Sequence, residues 1–81
     1  MKYWTIIGRD GCPWCDKAVE YLHDNGAEYA YINLSDPKNG AFRLTVKAFG
    51  VKTVPQVINP DGELIGGYES LVEYLEGNDG N

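Results

Sequence analysis

The chain has little from which to build a metal centre. Its 81 residues include two cysteines, one histidine and one methionine. Two thiols and one imidazole cannot complete a four-ligand zinc shell, so a structural zinc would need ligands from a partner chain. Basic residues are also scarce. Seven Lys and Arg stand against twelve Asp and Glu, for a net charge of -5, and a nucleic-acid partner, which needs a basic face, is not expected. No apolar stretch approaches a membrane span, which removes a membrane partner too. The N-terminal apolar run is short and lacks a cleavage-site pattern; it reads as a strand rather than a signal peptide, and a cytoplasmic protein is expected. Repeats and low-complexity tracts are missing. At this length one domain over residues 1–81 is expected, as a monomer with a modest core. Residues 77–81 hold no apolar side chain and should fray. With no room for a cofactor domain, any chemistry must come from a few side chains.

What the chain does have is Cys12-Pro13-Trp14-Cys15. In a reducing compartment two thiols this close are seldom structural. Tyr3 to Gly8 reads as a buried strand leading into the pair. Pro13 suits a first helical position, and Cys15, Ala18, Val19 and Leu22 recur at helical spacing up to a stop at Gly26. This puts a dithiol at the positive end of a helix, where thiolates are favoured. Cys12 should be the exposed nucleophile, near Arg9. Cys15, on the apolar stripe, should be the less accessible resolving thiol. A thiol of pKa about 8.5 is roughly 3% ionised at pH 7. Lowering the pKa to ~5 raises that fraction roughly thirtyfold, but intrinsic nucleophilicity falls by a similar factor. The gain lies in how readily such a sulfur leaves a mixed disulfide.

Further on, Glu28–Leu34 alternates as a second strand, and Ala41–Phe49 carries two candidate apolar stripes of a helix ended by Gly50. Val54–Ile58 reads as a third strand. Pro60-Asp61-Gly62 is a turn, and Leu64–Gly66 is a short fourth strand. Ser70-Leu71-Val72-Glu73 is a capping box opening a last helix with Leu71, Tyr74 and Leu75 inward. The order β-α-β-α-β-β-α fits an α/β chain with a four-stranded mixed sheet and three helices, the order of the thioredoxin-like fold.

Three separated segments resemble the glutaredoxin family. Gly8 to Cys15 is similar to its Cys-Pro-Tyr-Cys site with a basic residue three positions before. Thr53-Val54-Pro55-Gln56-Val57 is similar to its Thr-Val-Pro segment. Ile65-Gly66-Gly67-Tyr68-Glu69 is similar to its Gly-Gly motif, and Pro55 to Tyr74 resembles bacteriophage glutaredoxins in particular. The resemblance implies a cis peptide before Pro55, set opposite the dithiol. It also implies a glutathione site in which the Val54 backbone pairs with the ligand as a strand would. Backbone N–H groups at Gly67, Tyr68, Glu69 and Ser70 would meet the γ-glutamyl carboxylate, and Arg9 and Lys52 match basic positions lining the site. Trp14 stands where the family usually has Tyr, as an aromatic cover or as a residue that sets partner choice. Glu69-Ser70 departs from a commonly acidic position, and Ser70 reads first as a helix cap.

The resemblance implies a glutathione-dependent thiol–disulfide oxidoreductase with no bound cofactor and glutathione as co-substrate. Its partners would be disulfide-containing or glutathionylated proteins, with ribonucleotide reductase as one candidate acceptor. If the chain is phage-encoded, the compartment would be the host cytoplasm. Two other readings stay open: a thioredoxin-like reductant fed by a flavoprotein reductase, and a dimer bridging an iron–sulfur cluster. His23 lies roughly two turns beyond the cysteine pair and is not expected to act as a base.

Overall fold

A computed structural model describes residues 2–50 and 53–79 of the chain. Strand β1 (Trp4–Gly8) leads to helix α1 (Pro13–Asp24), strand β2 (Tyr29–Asn33), a 3-10 turn (Pro37–Asn39), helix α2 (Gly40–Ala48), strands β3 (Gln56–Ile58) and β4 (Leu64–Gly66), and helix α3 (Tyr68–Asp79). The sheet order is β2-β1-β3-β4. β1 pairs parallel with β2 and antiparallel with β3, and β3 pairs antiparallel with β4. The thioredoxin-like fold expected from the order of elements is the one observed, and the 3-10 turn falls where Ser35-Asp36-Pro37 reads as the start of a turn or helix. The parallel pair needs a crossover, which α1 supplies. The antiparallel pair needs only the Pro60-Asp61-Gly62 turn.

The burial follows from this order. β1 lies between two neighbours, and Trp4, Ile6, Ile7 and Gly8 are all buried. Cys15, Ala18 and Leu22 of α1 are fully buried, as the helical spacing predicts. The core joins Trp4, Ile6, Ala18, Leu22, Val57 and Leu71, with Val19, Tyr74 and Leu75 packed against it. Helices α1 and α3 also touch each other, and Tyr21 of α1 donates to Glu76 of α3 at 3.0 Å. Among the described residues no helix is long and apolar enough to cross a membrane.

Two boundaries and the burial of one helix differ from the sequence reading. β3 starts at Gln56 rather than Val54, because Pro55 has no N–H for the ladder and the chain bends at 53–54. α3 starts at Tyr68, so Ser70 is a first-turn residue rather than the cap. The Leu71 N–H already bonds the Gly67 carbonyl at 3.0 Å. Gly66 makes this early entry possible. Its φ is +123°, and a Cβ there would stand 2.9 Å from Ser70 Oγ. α2 buries neither of its candidate stripes: none of its residues is buried, and Phe42, Leu44 and the following Phe49 are exposed. Its main neighbour is the preceding 3-10 turn rather than the core.

One buried polar side chain organises the β3–β4 hairpin. Asn59, 2% exposed, donates to Glu63 Oε1 at 2.9 Å and to the Tyr74 hydroxyl at 3.2 Å. Its Oδ1 accepts from the backbone N–H groups of Asp61 and Glu63 at 3.0 and 2.8 Å. Asn59→Ala strands these partners and is expected to destabilise the fold by about 2 kcal/mol. Urea unfolding checks this: the midpoint should fall with the slope unchanged.

Candidate active site

The site starts at the end of β1, where the chain leaves the sheet and turns into α1. Cys12 is the N-cap of that helix, with extended backbone. Its Sγ accepts a hydrogen bond from the Cys15 N–H at 3.1 Å. The first free N–H groups of a helix carry its positive end, so the sulfur sits where negative charge is best tolerated. Pro13 at the first helical position loses nothing by lacking an N–H. Cys12 and Cys15 form a disulfide, with Cα atoms 5.2 Å apart.

The expected difference in access between the two sulfurs is small here. Cys12 is 8% exposed and Cys15 is fully buried. The sequence reading had Cys12 openly exposed; in the disulfide form it lies against the loop that precedes β3. The Val54 carbonyl oxygen stands 3.8 Å from Cys12 Sγ. The Val54–Pro55 peptide is cis, and Pro55 is buried. A second network holds the entry to the helix. Asp10 N–H donates to Ser35 Oγ at 3.0 Å, Asn33 donates to Asp10 Oδ1 at 2.9 Å, and Ser35 N–H donates to Asn33 Oδ1 at 2.9 Å.

Trp14, between the two cysteines, and Val54, whose carbonyl meets Cys12 Sγ, both line a cavity of about 380 Å³, of the size that takes a small peptide-like ligand. Its walls are Trp14, Thr53, Val54, Pro55, Gly67, Tyr68, Glu69 and Ser70. Three separate segments of the sequence thus each contribute residues to one hollow, although neither cysteine is on its wall. The Trp14 ring, half exposed, lies 5.6 Å from Tyr68, and Tyr68 meets Tyr21 edge-on at 6.2 Å. Lys17 Nζ stands 5.6 Å from the Trp14 centroid. The indole is therefore an aromatic lip held between a cation and a tyrosine. Gly67 faces the Pro55 carbonyl, where a Cβ would sit at an ordinary 3.7 Å.

Arg9 is not on that wall. It lines an adjoining cavity of about 210 Å³ with Ser35, Arg43, Val46, Thr53 and Val54. The two cavities share Thr53 and Val54, so the segment opposite Cys12 has an aromatic hollow on one side and two guanidinium groups on the other. Arg43 was absent from the sequence reading, which took 41–49 only as an apolar-striped helix. Nothing local in the sequence marks it; only the fold sets it across from Arg9. Lys52 lies outside the described residues. His23 lies on the wall of a separate cavity between α1 and β2. Among the described residues no group of three or more His, Cys, Asp or Glu could hold a metal ion.

Comparison with known proteins agrees with the geometry. The family model described as Glutaredoxin matches residues 3–65. The chain is 34% identical to the glutaredoxin of Enterobacteria phage T4, covering 80% of this chain and 85% of that protein. It is 39% identical to a hybrid peroxiredoxin of Haemophilus influenzae over 88% of this chain, yet spans only 28% of that relative's length. Among solved structures, glutaredoxin 1 from Francisella tularensis, complexed with cacodylate, aligns over the whole of both chains with a TM-score of 0.75 at 22% identity. A buckwheat glutaredoxin–glutathione complex aligns with a TM-score of 0.74 at 24% identity, over 94% of this chain and 71% of that one. At these identities the structural likeness speaks for the fold.

Proposed function

The chain belongs to the glutaredoxin family, whose fold and paired cysteines make it a thiol–disulfide oxidoreductase domain, and we propose that its reductant is glutathione. The observation that carries this is the cavity beside Cys12. It presents the Thr53–Val54 backbone before the cis peptide on one side and the first residues of α3 on the other. A tripeptide thiol has a backbone to lie along the first and a carboxylate to meet the N–H groups of the second. Its other carboxylate would reach Arg9 and Arg43 past Val54. Its sulfur would then stand at Cys12.

The proposed cycle follows. The Cys12 thiolate, favoured by the α1 N-terminus, attacks a substrate disulfide and forms a mixed disulfide while the displaced thiolate leaves. With a protein disulfide, Cys15 attacks Cys12 Sγ, releases the second substrate thiol and leaves Cys12–Cys15 oxidised. One glutathione thiolate opens that bond at Cys12, and a second removes the first as glutathione disulfide. Each turn moves two electrons from two glutathiones to one disulfide. Protein disulfides and glutathionylated proteins are the proposed acceptors. Ribonucleotide reductase is among them, on the phage-like resemblance of residues 55–74.

The electron source is the test. With a small disulfide substrate, glutathione and its reductase should sustain turnover, and a flavoprotein thioredoxin reductase should not; the reverse result would replace this reading with that of a thioredoxin-like reductant. In the same assay Arg43→Gln is expected to raise KM for glutathione about fivefold, as for a partly exposed charge pair. The difference should shrink in high salt, with kcat little changed.

A further inference from the structure

A second cavity, of about 640 Å³, shares no wall residue with the hollow beside Cys12. It runs between α1 and β2, and its wall includes Asp10, Asp16, Glu20, His23, Tyr29 and Tyr31. Tyr31 is the member of this group that reaches the redox centre. It pairs with Ile6 in the sheet and leans along β1 to Gly8. Its Cζ lies 2.8 Å from the point where a Gly8 Cβ would stand, with the hydroxyl closer still, and Cys15 Sγ lies 2.9 Å from the same point. The phenol oxygen and the buried sulfur thus converge on the gap that Gly8 leaves. Cys15 has no solvent contact, whereas Tyr31 is 38% exposed, so the phenol connects that sulfur to the open cavity.

We propose that the Tyr31 hydroxyl donates a hydrogen bond to the Cys15 sulfur as it leaves Cys12, which makes Tyr31 a positioning residue for reduction of the disulfide. The step it serves is one exchange. A thiolate attacks Cys12 Sγ and a new S–S bond forms there. The Cys12–Cys15 bond breaks, and its electron pair stays on Cys15 Sγ as a thiolate, later protonated from water. A buried thiolate without a donor is costly. The Cys15 N–H is already engaged with Cys12 Sγ, while the Tyr31 hydroxyl stands at hand. Burial, with Asp16 and then Asp10 nearby, raises the Tyr31 pKa above the usual phenol value. The hydroxyl therefore keeps its proton throughout the working range and serves as a donor rather than an acid.

The test uses the whole chain and dithiothreitol as the attacking thiol, so its outcome does not depend on glutathione being the reductant. Tyr31→Phe should slow reduction of Cys12–Cys15 about fivefold at pH 7, the effect of one hydrogen bond to a developing charge. Alkylation of Cys12 in the reduced protein should keep its rate. In a Cys12→Ser background, Tyr31→Phe should move the Cys15 titration, followed by thiolate absorbance, up by about one pH unit. Equal reduction rates and equal titrations in the Phe variant would overturn the proposal, because Phe keeps the ring and removes only the donor. Should the Phe variant not fold, the native chain still answers. The Tyr31 ¹³Cζ resonance should shift when the disulfide is reduced and shift again as Cys15 ionises; a resonance indifferent to both would overturn the proposal.

Discussion

Cys12→Ser is expected to reduce turnover of every disulfide substrate to background, a loss of at least about a thousandfold, as for the removal of any attacking nucleophile. Cys15→Ser is expected to divide the activities. Turnover of glutathione mixed disulfides should persist, because that cycle needs only an attacking and leaving sulfur at residue 12. Reduction of protein disulfides should fall by tenfold or more, because the intramolecular attack that frees the second substrate thiol is gone. The asymmetry has a structural cause. Cys12 Sγ caps α1 and meets the Val54 carbonyl of the loop that lines the 380 Å³ cavity, while Cys15 lies without solvent contact in the apolar stripe. Coupled glutathione assays with a mixed-disulfide substrate and with a protein disulfide separate the two. Equal loss of both activities in a folded Cys15→Ser chain would mean that the sulfurs do not divide the work in this way.

Much of this was legible in the chain, because the features that mattered were periodic or local. The spacing of Cys15, Ala18 and Leu22 fixed the buried face of α1, and the turn at Pro60-Asp61-Gly62 fixed the hairpin. The segments around Cys12, Pro55 and Gly67 were each readable, and the fold brought them to one hollow. What escaped was what depends on tertiary packing. The Ser70 capping box is a sound local signal, but Gly66 at positive φ lets the helix begin two residues earlier. The stripes of α2 look core-facing by period alone, yet the sheet does not bury them. Arg43 carries no local mark of function; only its place across from Arg9 gives it one. Tyr31 likewise read as one more alternating strand residue, and its bearing on Cys15 exists only through the register of β1 against β2.

Gly8→Ala is expected to lower both the stability of this chain and the rate at which its disulfide is reduced. Gly8 is buried at the end of the central strand, and its Cβ would meet the Tyr31 hydroxyl, Tyr31 Cζ at 2.8 Å and Cys15 Sγ at 2.9 Å. The sulfur cannot give way cheaply, and the phenol can do so only by swinging out of the gap. Cys15 is fixed by its helix and by the disulfide, and the Tyr31 backbone is held by its strand. Overpacking of this kind costs about 1–3 kcal/mol, a large share of the ~4–12 kcal/mol a domain of this length has. The urea midpoint should fall accordingly, and reduction of the disulfide should slow, because the sulfur and the phenol can no longer share the gap. Gly40 is the internal control. It is helical, and no atom stands within 4 Å of an added Cβ, so Gly40→Ala should leave stability unchanged or raise it by up to about 1 kcal/mol. The closest obstruction at Gly8 is the hydroxyl, so Tyr31→Phe in the Gly8→Ala background should recover about 1 kcal/mol, measurable as a coupling in a double-mutant cycle. If the two changes prove additive, the phenol is not what excludes a methyl group from this position.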